Sequence, residues 1–247
     1  MNFSRTSLSI LAGCLVLLAA ANGVGAATNS VPRPVEASTG RGSALPWFRV
    51  PLDSSNRWQV LHYKNIPANK TTFSKSGLEI LVRDSASPLV YPLEKPLLIT
   101  HVRVKAKLEG TLEVNPARQG EKGSDDYVLR IGLVVPGERK LTFVQRKTAP
   151  DWIKALFKLA PAGTGISRVQ FFNVAAAKDQ IGKTRQHPAS DLLHEKVVAV
   201  PGPNGVLDFS FSLDQPIETL AIWISSDGDD TKSQYRVQLR QLEFEVK

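Results

Sequence analysis

The chain has 247 residues, a formal net charge of +8, 42% apolar residues and a single cysteine. That length can bury a full core without staples, and one cysteine excludes a disulfide framework or a cysteine-built metal site. The basic excess points to acidic polysaccharide, lipopolysaccharide or another anionic glycan as partner, or simply to solubility; no nucleic-acid partner is expected.

The N-terminus places Arg5 before an apolar run, residues 8–21, followed by Val24-Gly25-Ala26-Ala27. Small residues three and one before a cut at Ala27 give the pattern of a secretory signal peptide. Residues 1–26 are therefore expected to leave, and the mature protein to be periplasmic or secreted. Losing Arg5 takes the charge from +8 to +7. The apolar run falls short of the about 20 residues of a spanning helix, and no later segment is apolar enough, so no transmembrane segment is expected in the mature chain. The competing reading is Leu11-Ala12-Gly13-Cys14 as a lipoprotein signal with a lipid on Cys14, although that signal normally ends the apolar region and here it continues to Ala21. Residues 27–46 are rich in small residues, Pro and Gly, cannot offset their ordering entropy, and read as a flexible linker. A single folded domain is expected over residues 47–247.

From Trp47 the dominant period is two. Trp58, Val60 and His62 alternate with Gln59 and Leu61, and Leu78, Ile80 and Val82 with Glu79, Leu81 and Arg83. The clearest case is residues 102–108, where Val102, Val104, Ala106 and Leu108 alternate with Arg103, Lys105 and Lys107. Such alternation predicts strands with one buried face. Residues 127–135 are nearly continuous apolar sequence, broken only by Arg130 and Gly132, and read as a central strand covered on both sides. Further strands are expected over 141–146, 166–174, 196–200 and 206–213. One short helix is predicted from Asp151 as N-cap to Leu159, with Trp152, Leu156 and Leu159 on one face. It is expected to plug one end of the fold, a lid or membrane-surface helix being the other reading. In the last strand, Val237 and Leu239 are apolar at odd positions, while Leu242, Phe244 and Val246 are apolar at even ones. A one-residue bulge at Arg240 or Gln241 would keep both halves facing inward. The whole predicts an all-β fold, an antiparallel two-sheet jelly-roll-like sandwich with one short helix.

The densest carboxylate cluster is the loop carrying Asp227, Asp229, Asp230 and Thr231, between the last two strands. Its oxygens suit calcium or a polar ligand; the plain reading is an acidic turn bonding its own backbone. Asp125 and Asp126 precede the central strand and would join this loop if their strands were neighbours. Paired carboxylates also serve glycoside hydrolysis. His194-Glu195 lacks the second histidine of a zincin, and no nucleophile elbow, phosphate loop or dinucleotide fingerprint occurs. Enzymatic activity is therefore not the leading expectation. Arg103, Lys105 and Lys107, with Arg236 and Arg240, would form a basic stripe if their strands were adjacent. Trp47, Trp58, Tyr91 and Trp223 are candidates for stacking on sugar rings, with the core as the competing assignment for Trp58 and Trp223.

The blocks SDDYVLRIGLVV (124–135) and LAIWISSDGDDTKSQYRVQLRQLEF (220–244) resemble those of a bacterial exported family, domain of unknown function 3047. GLEILVRDSASPLVYPL (77–93) and ISRVQFFNV (166–174) are similar to its early and middle strands; residues 175–200 differ from it. The resemblance implies an exported β-sandwich of carbohydrate-binding-module-like architecture without an established activity, and singles out Asp125, Asp126, Asp227, Asp229, Asp230 and Thr231. The leading expectation is a non-catalytic protein binding a glycan or other cell-envelope component. The alternatives are a carboxylate-dependent polysaccharide hydrolase and an envelope assembly factor that binds protein.

Overall fold

A computed structural model describes residues 45–188 and 190–247; the expected signal peptide and residues 27–44 of the expected linker lie outside them. The first strands are β1 (Trp47–Arg49), β2 (Gln59–Val60), β3 (Lys70–Ser74), β4 (Gly77–Arg83) and β5 (Leu89–Thr111). After β6 (Leu129–Gly137) come two short helices, α1 (Phe143–Thr148) and α2 (Asp151–Phe157). The chain closes with β7 (Gly165–Val174), β8 (Thr184–Gln186), β9 (Leu193–Ala199), β10 (Val206–Ser225) and β11 (Gln234–Val246).

The strands join in one hydrogen-bonded sheet of order β3-β4-β11-β5-β10-β6-β7-β9-β8, with β1 added on β11 and β2 on β5. Every pairing is antiparallel except β7 with β9. The long pair β5–β10 runs through the middle, and its register slips between Ser212 and Ile217 and again between Thr219 and Ala221. Slips of this kind bend a sheet, and the bent sheet packs on itself as a sandwich. Ile80, Val104, Leu242 and Phe244 from one half share a core with Ile131, Phe172 and Ile222 from the other. The alternation over 102–108 explains this: Val102 and Val104 are fully buried while Lys105 is exposed. The expected all-β sandwich is what the chain forms, its two layers being one continuous sheet.

A second, smaller core lies on the opposite face of the β6–β7–β10 half, where Val134, Phe171 and Trp223 meet Leu156 of α2. That is why residues 127–135 are apolar on both faces.

Several local expectations change. Residues 141–146 do not form a strand. Thr142 Oγ1 accepts the Gln145 amide at 3.2 Å and the Gln145 side chain accepts the Thr142 amide at 2.9 Å, a reciprocal cap that starts α1 instead. There are thus two short helices rather than one, and Asp151 is the first residue of α2, with Pro150 at the cap. The strand expected around Trp58 shrinks to Gln59–Val60. The bulge expected in the last strand is present: the β11–β5 register slips between Leu239 and Gln241.

Candidate functional site

Because β6 and β10 are hydrogen-bonded neighbours, with Arg130 opposite Ser225, the stretch before β6 and the loop after β10 meet at one end of the sheet. Asp125, Asp126, Asp229, Asp230 and Asp227 line a single cleft of about 310 Å³. The acidic loop is fixed from behind. Asp227 N–H donates to Tyr127 O at 3.2 Å, Gly228 N–H to Ser85 O at 3.1 Å, and Tyr235 Oη–H bonds Asp227 O at 2.8 Å. Asn69 Nδ2 holds Ser226 O at 2.7 Å, and the Ser85 hydroxyl donates to Asn69 Oδ1 at 2.7 Å. The Ser-rich stretch after β4 therefore supports the loop.

The two acidic segments are also stitched to each other. Asp126 accepts from the Thr231 amide at 2.8 Å and the Thr231 hydroxyl at 2.6 Å. Asp125 N–H donates to Asp230 Oδ2 at 3.0 Å. In this way Asp126, Thr231 and Asp230 act as struts between the two segments.

Beneath them lies a network that sequence reasoning left out. Arg130, buried on the face that β6 shares with Trp223 and Phe171, donates to Asp227 and Glu195 and to Asp125 O at 2.6 Å. Arg185 of β8 bonds Glu195, Asp125 and Gly120 O. His187 Nε2 lies 2.6 Å from Asp125 Oδ2. The Tyr127 ring sits 4.4 Å from the Arg130 guanidinium. Glu195 reaches the cluster because β9 runs parallel to β7 with Glu195 opposite Phe171.

These contacts set the charges. Burial opposes ionisation of Asp125, yet His187, Arg130 and Arg185 outweigh it and hold the carboxyl at about 2. Arg130 is held well above its ordinary range by Asp227, Glu195 and Asp125 despite its burial. Burial pushes Asp227 up to about 7 against the pull of Arg130. Asp229 has no ion-pair partner among the described residues; burial and then the Asp126 charge raise it to about 6. Burial raises Asp126 as well.

The other wall of the cleft is aromatic. Tyr63 meets Trp152 of α2 edge-on at 5.9 Å, Trp152 meets Trp223 at 6.0 Å, and Trp223 meets Phe171 at 5.5 Å. Trp152 and Tyr63 are half-buried and Trp223 is buried. Trp223 Nε1 and Ser225 Oγ, both buried in residues that line the cleft, have no hydrogen-bond partner among the described residues. Of the aromatics singled out by sequence, Trp223 reaches the cleft. Trp58 and Tyr91 pack together at 5.2 Å in the main core, and Trp47 lies under Arg103, 4.1 Å from its guanidinium.

Among the described residues, one trio could offer metal ligands within 4.8 Å of one another: Asp125, His187 and Glu195. Two of the three already bind guanidinium groups, so the donor set is electrostatically matched without a cation. Of the residues named for calcium, Asp227 is likewise paired, with Arg130.

The basic residues lie on β5 and β11, which are adjacent, but they alternate with acids. Arg103 pairs with Glu243 at 3.4 Å, Lys105 with Asp208 at 3.7 Å and Lys107 with Glu109 at 3.7 Å. Arg236 pairs with Glu109 at 2.9 Å and Glu79 at 3.2 Å, while Arg240 borders shallow grooves beside Gln238 and Gln241. The result is a mixed-charge face.

No family model matches the chain, and no curated protein does. Solved structures with a similar course include a xylan-binding module, CBM15, at 10% identity over 82% of this chain and 97% of that one, with a TM-score of 0.34. The Crh5 transglycosylase in its apo form matches at 10% identity over 82% and 85%, TM-score 0.30. Arcelin-5, a lectin-like defense protein from Phaseolus vulgaris, matches at 11% over 83% and 100%, TM-score 0.30. At this level of similarity nothing about a ligand transfers to the chain.

Proposed function

We propose that the protein is an exported, non-catalytic β-sandwich that binds a glycan of the cell envelope in the cleft between Trp152 and Asp229. The observation that carries this reading is the pairing of an aromatic wall, Tyr63–Trp152–Trp223, with a polar end of fixed carboxylates in one concave site. Pyranose rings present apolar C–H faces and rims of hydroxyls. An aromatic wall suits the first, and carboxylates that accept charge-assisted hydrogen bonds suit the second. Mostly apolar lining with a few convergent polar groups is the general form of a small-ligand site. Asp125, Asp126, Asp227, Asp229, Asp230 and Glu195 outnumber Arg130 and Arg185 around the polar end, so a neutral glycan fits this cleft better than an anionic one. Membership in the family that the sequence blocks resemble belongs to the same reading.

Titration of the purified chain against envelope polysaccharide fragments, read by calorimetry or on a glycan array, tests it. Asp229→Asn should weaken binding about tenfold or more, the worth of a hydrogen bond to a charged group, without lowering the melting temperature at neutral pH. Trp152→Ala should weaken binding similarly. Absence of binding to every fraction would overturn the reading.

A polysaccharide hydrolase is the second reading, favoured by one observation: Asp229, raised to about 6, shares the cleft with ionised Asp125. New reducing ends released from a bound polysaccharide, and abolished in Asp229→Asn, would establish it; binding without release excludes it.

A further inference from the structure

The excursion between β6 and β7 carries α1, and α1 buries none of its residues. Phe143 and Val144, side by side in its first turn, are 71% and 65% exposed, more than any other large apolar residue described. A scattered exposed apolar residue is ordinary, but two adjacent ones on a capped, outward-held helix are an unpartnered tip. Around the tip the chain is strongly basic. Over residues 138–158 Arg139, Lys140, Arg146, Lys147, Lys154 and Lys158 face only two acids, Glu138 and Asp151. Lys140, Arg146, Lys154 and Lys158 border a surface hollow of about 500 Å³ with Leu141 and Phe157, and no carboxylate lines it. Lys147 Nζ lies 4.5 Å from the Phe143 ring. Arg139 and Lys154 have acidic partners, Asp191 at 2.9 Å and Asp151 at 3.2 Å, which leaves Lys140, Arg146, Lys147 and Lys158 as the cations of the rim.

We propose that α1 and the adjoining hollow dock on an anionic lipid bilayer. Phe143 and Val144 enter the boundary between headgroups and acyl chains, and Lys140, Arg146, Lys147 and Lys158 lie against lipid phosphates. Charge complementarity selects this occupant. A soluble polyanion would satisfy the cations but would leave the apolar tip in water. A neutral bilayer would take the tip but gain nothing from the ring. An apolar point inside a cationic rim is the arrangement of interfacial helices, and basic groups at the anionic surface add attraction that salt screens. With so small an apolar area the attachment is reversible. It shares no lining residue with the glycan cleft, although α2 contributes Trp152 to the cleft and Lys154 and Phe157 to the hollow.

The test reads the tip itself, so that no other apolar part of the chain contributes. In a Cys14→Ser background, Val144→Cys carries an environment-sensitive dye, and Ser210→Cys on the exposed start of β10 serves as the control. The label at 144 should shift to the blue with vesicles of phosphatidylcholine and phosphatidylglycerol, stay unshifted with phosphatidylcholine alone, and return on adding salt; the label at 210 should not respond. Arg146→Gln and Lys147→Gln should each weaken the transition roughly fivefold, and Phe143→Ser should abolish the shift without altering the melting temperature. An unshifted label at 144, an equal shift on neutral vesicles, or an equal shift with soluble heparin would overturn the proposal.

Discussion

Arg130 is the residue on which the candidate site stands. Its guanidinium is buried among Asp227, Glu195 and the Asp125 carbonyl, so replacing it leaves buried carboxylates without a partner. Arg130→Met should lower stability by about 3–5 kcal/mol, measured by denaturant unfolding; a loss below about 1 kcal/mol would show that the ion pairs contribute little beyond packing. Asp229 behaves in the opposite sense. Its carboxyl ionises near 6 in the folded chain and near 3.9 when unfolded. Between those values the folded state holds a proton that the unfolded state has released, so this group costs stability as pH rises from about 4 to about 6. Asp229→Asn removes the cost. The melting temperature of the variant minus that of the parent should grow over that window and level off above it. A difference constant from pH 4 to 7 would contradict the assignment. Any glycan hydroxyl that donates to Asp229 should bind more tightly as pH rises through 6, which calorimetry at two pH values would detect.

The elements were readable where one face of a strand is buried and its neighbours in sequence are not. Residues 102–108 and the phase change at Leu239 announce their strands and even the bulge, because a period of two admits only one inward face. Residues 141–146 misled, since Leu141, Phe143 and Val144 look like strand residues while the Thr142–Gln145 cap decides the matter locally. Proline and polar residues near Pro96 and Pro216 hid the continuity of β5 and β10, which depends on pairing between distant strands. Gly132 shows how an element builds the cleft floor. It lies opposite Trp223 on β10 and Phe171 on β7, and a Cβ there would meet the Phe171 ring at 2.7 Å and Trp223 Cβ at 2.9 Å. The two aromatic rings cover the place where its side chain would stand. Gly132→Ala should therefore cost about 1–3 kcal/mol by overpacking and perturb the near-ultraviolet dichroism of the tryptophans. An unchanged spectrum and stability would mean that the sheet opens there without strain.

At the scale of the molecule, five aspartates converge at one sheet end, Arg103, Lys105, Lys107 and Arg236 on β5 and β11 are paired with acids, and the surroundings of α1 are mostly basic. The acidic residues were visible as motifs at 125–126 and 227–230, but their buried partners were not. Arg130 stood out as the one charge in an apolar strand, whereas Arg185, His187 and Glu195 come from β8, the turn after it and β9, and Tyr63 from a distant loop; only tertiary pairing brings these together. That convergence decides what the acidic end does with calcium. Binding needs several uncommitted oxygens around one ion. Here Asp227 is engaged by Arg130, Asp126 by Thr231, and Asp230 by the Asp125 amide, which leaves the Asp229 carboxylate, bonded by its own backbone, without a paired cation among the described residues. Drawing Asp227 onto an ion would give up its pair with the buried Arg130 guanidinium, leaving that group to Glu195 and the Asp125 carbonyl alone, a loss that offsets binding. Thermal unfolding in calcium and in chelator should therefore superimpose within the scatter of replicate scans at neutral pH. A calcium-dependent rise that disappears in Asp229→Asn would show instead that the loop rearranges to hold the ion, with Arg130 turning wholly to Glu195.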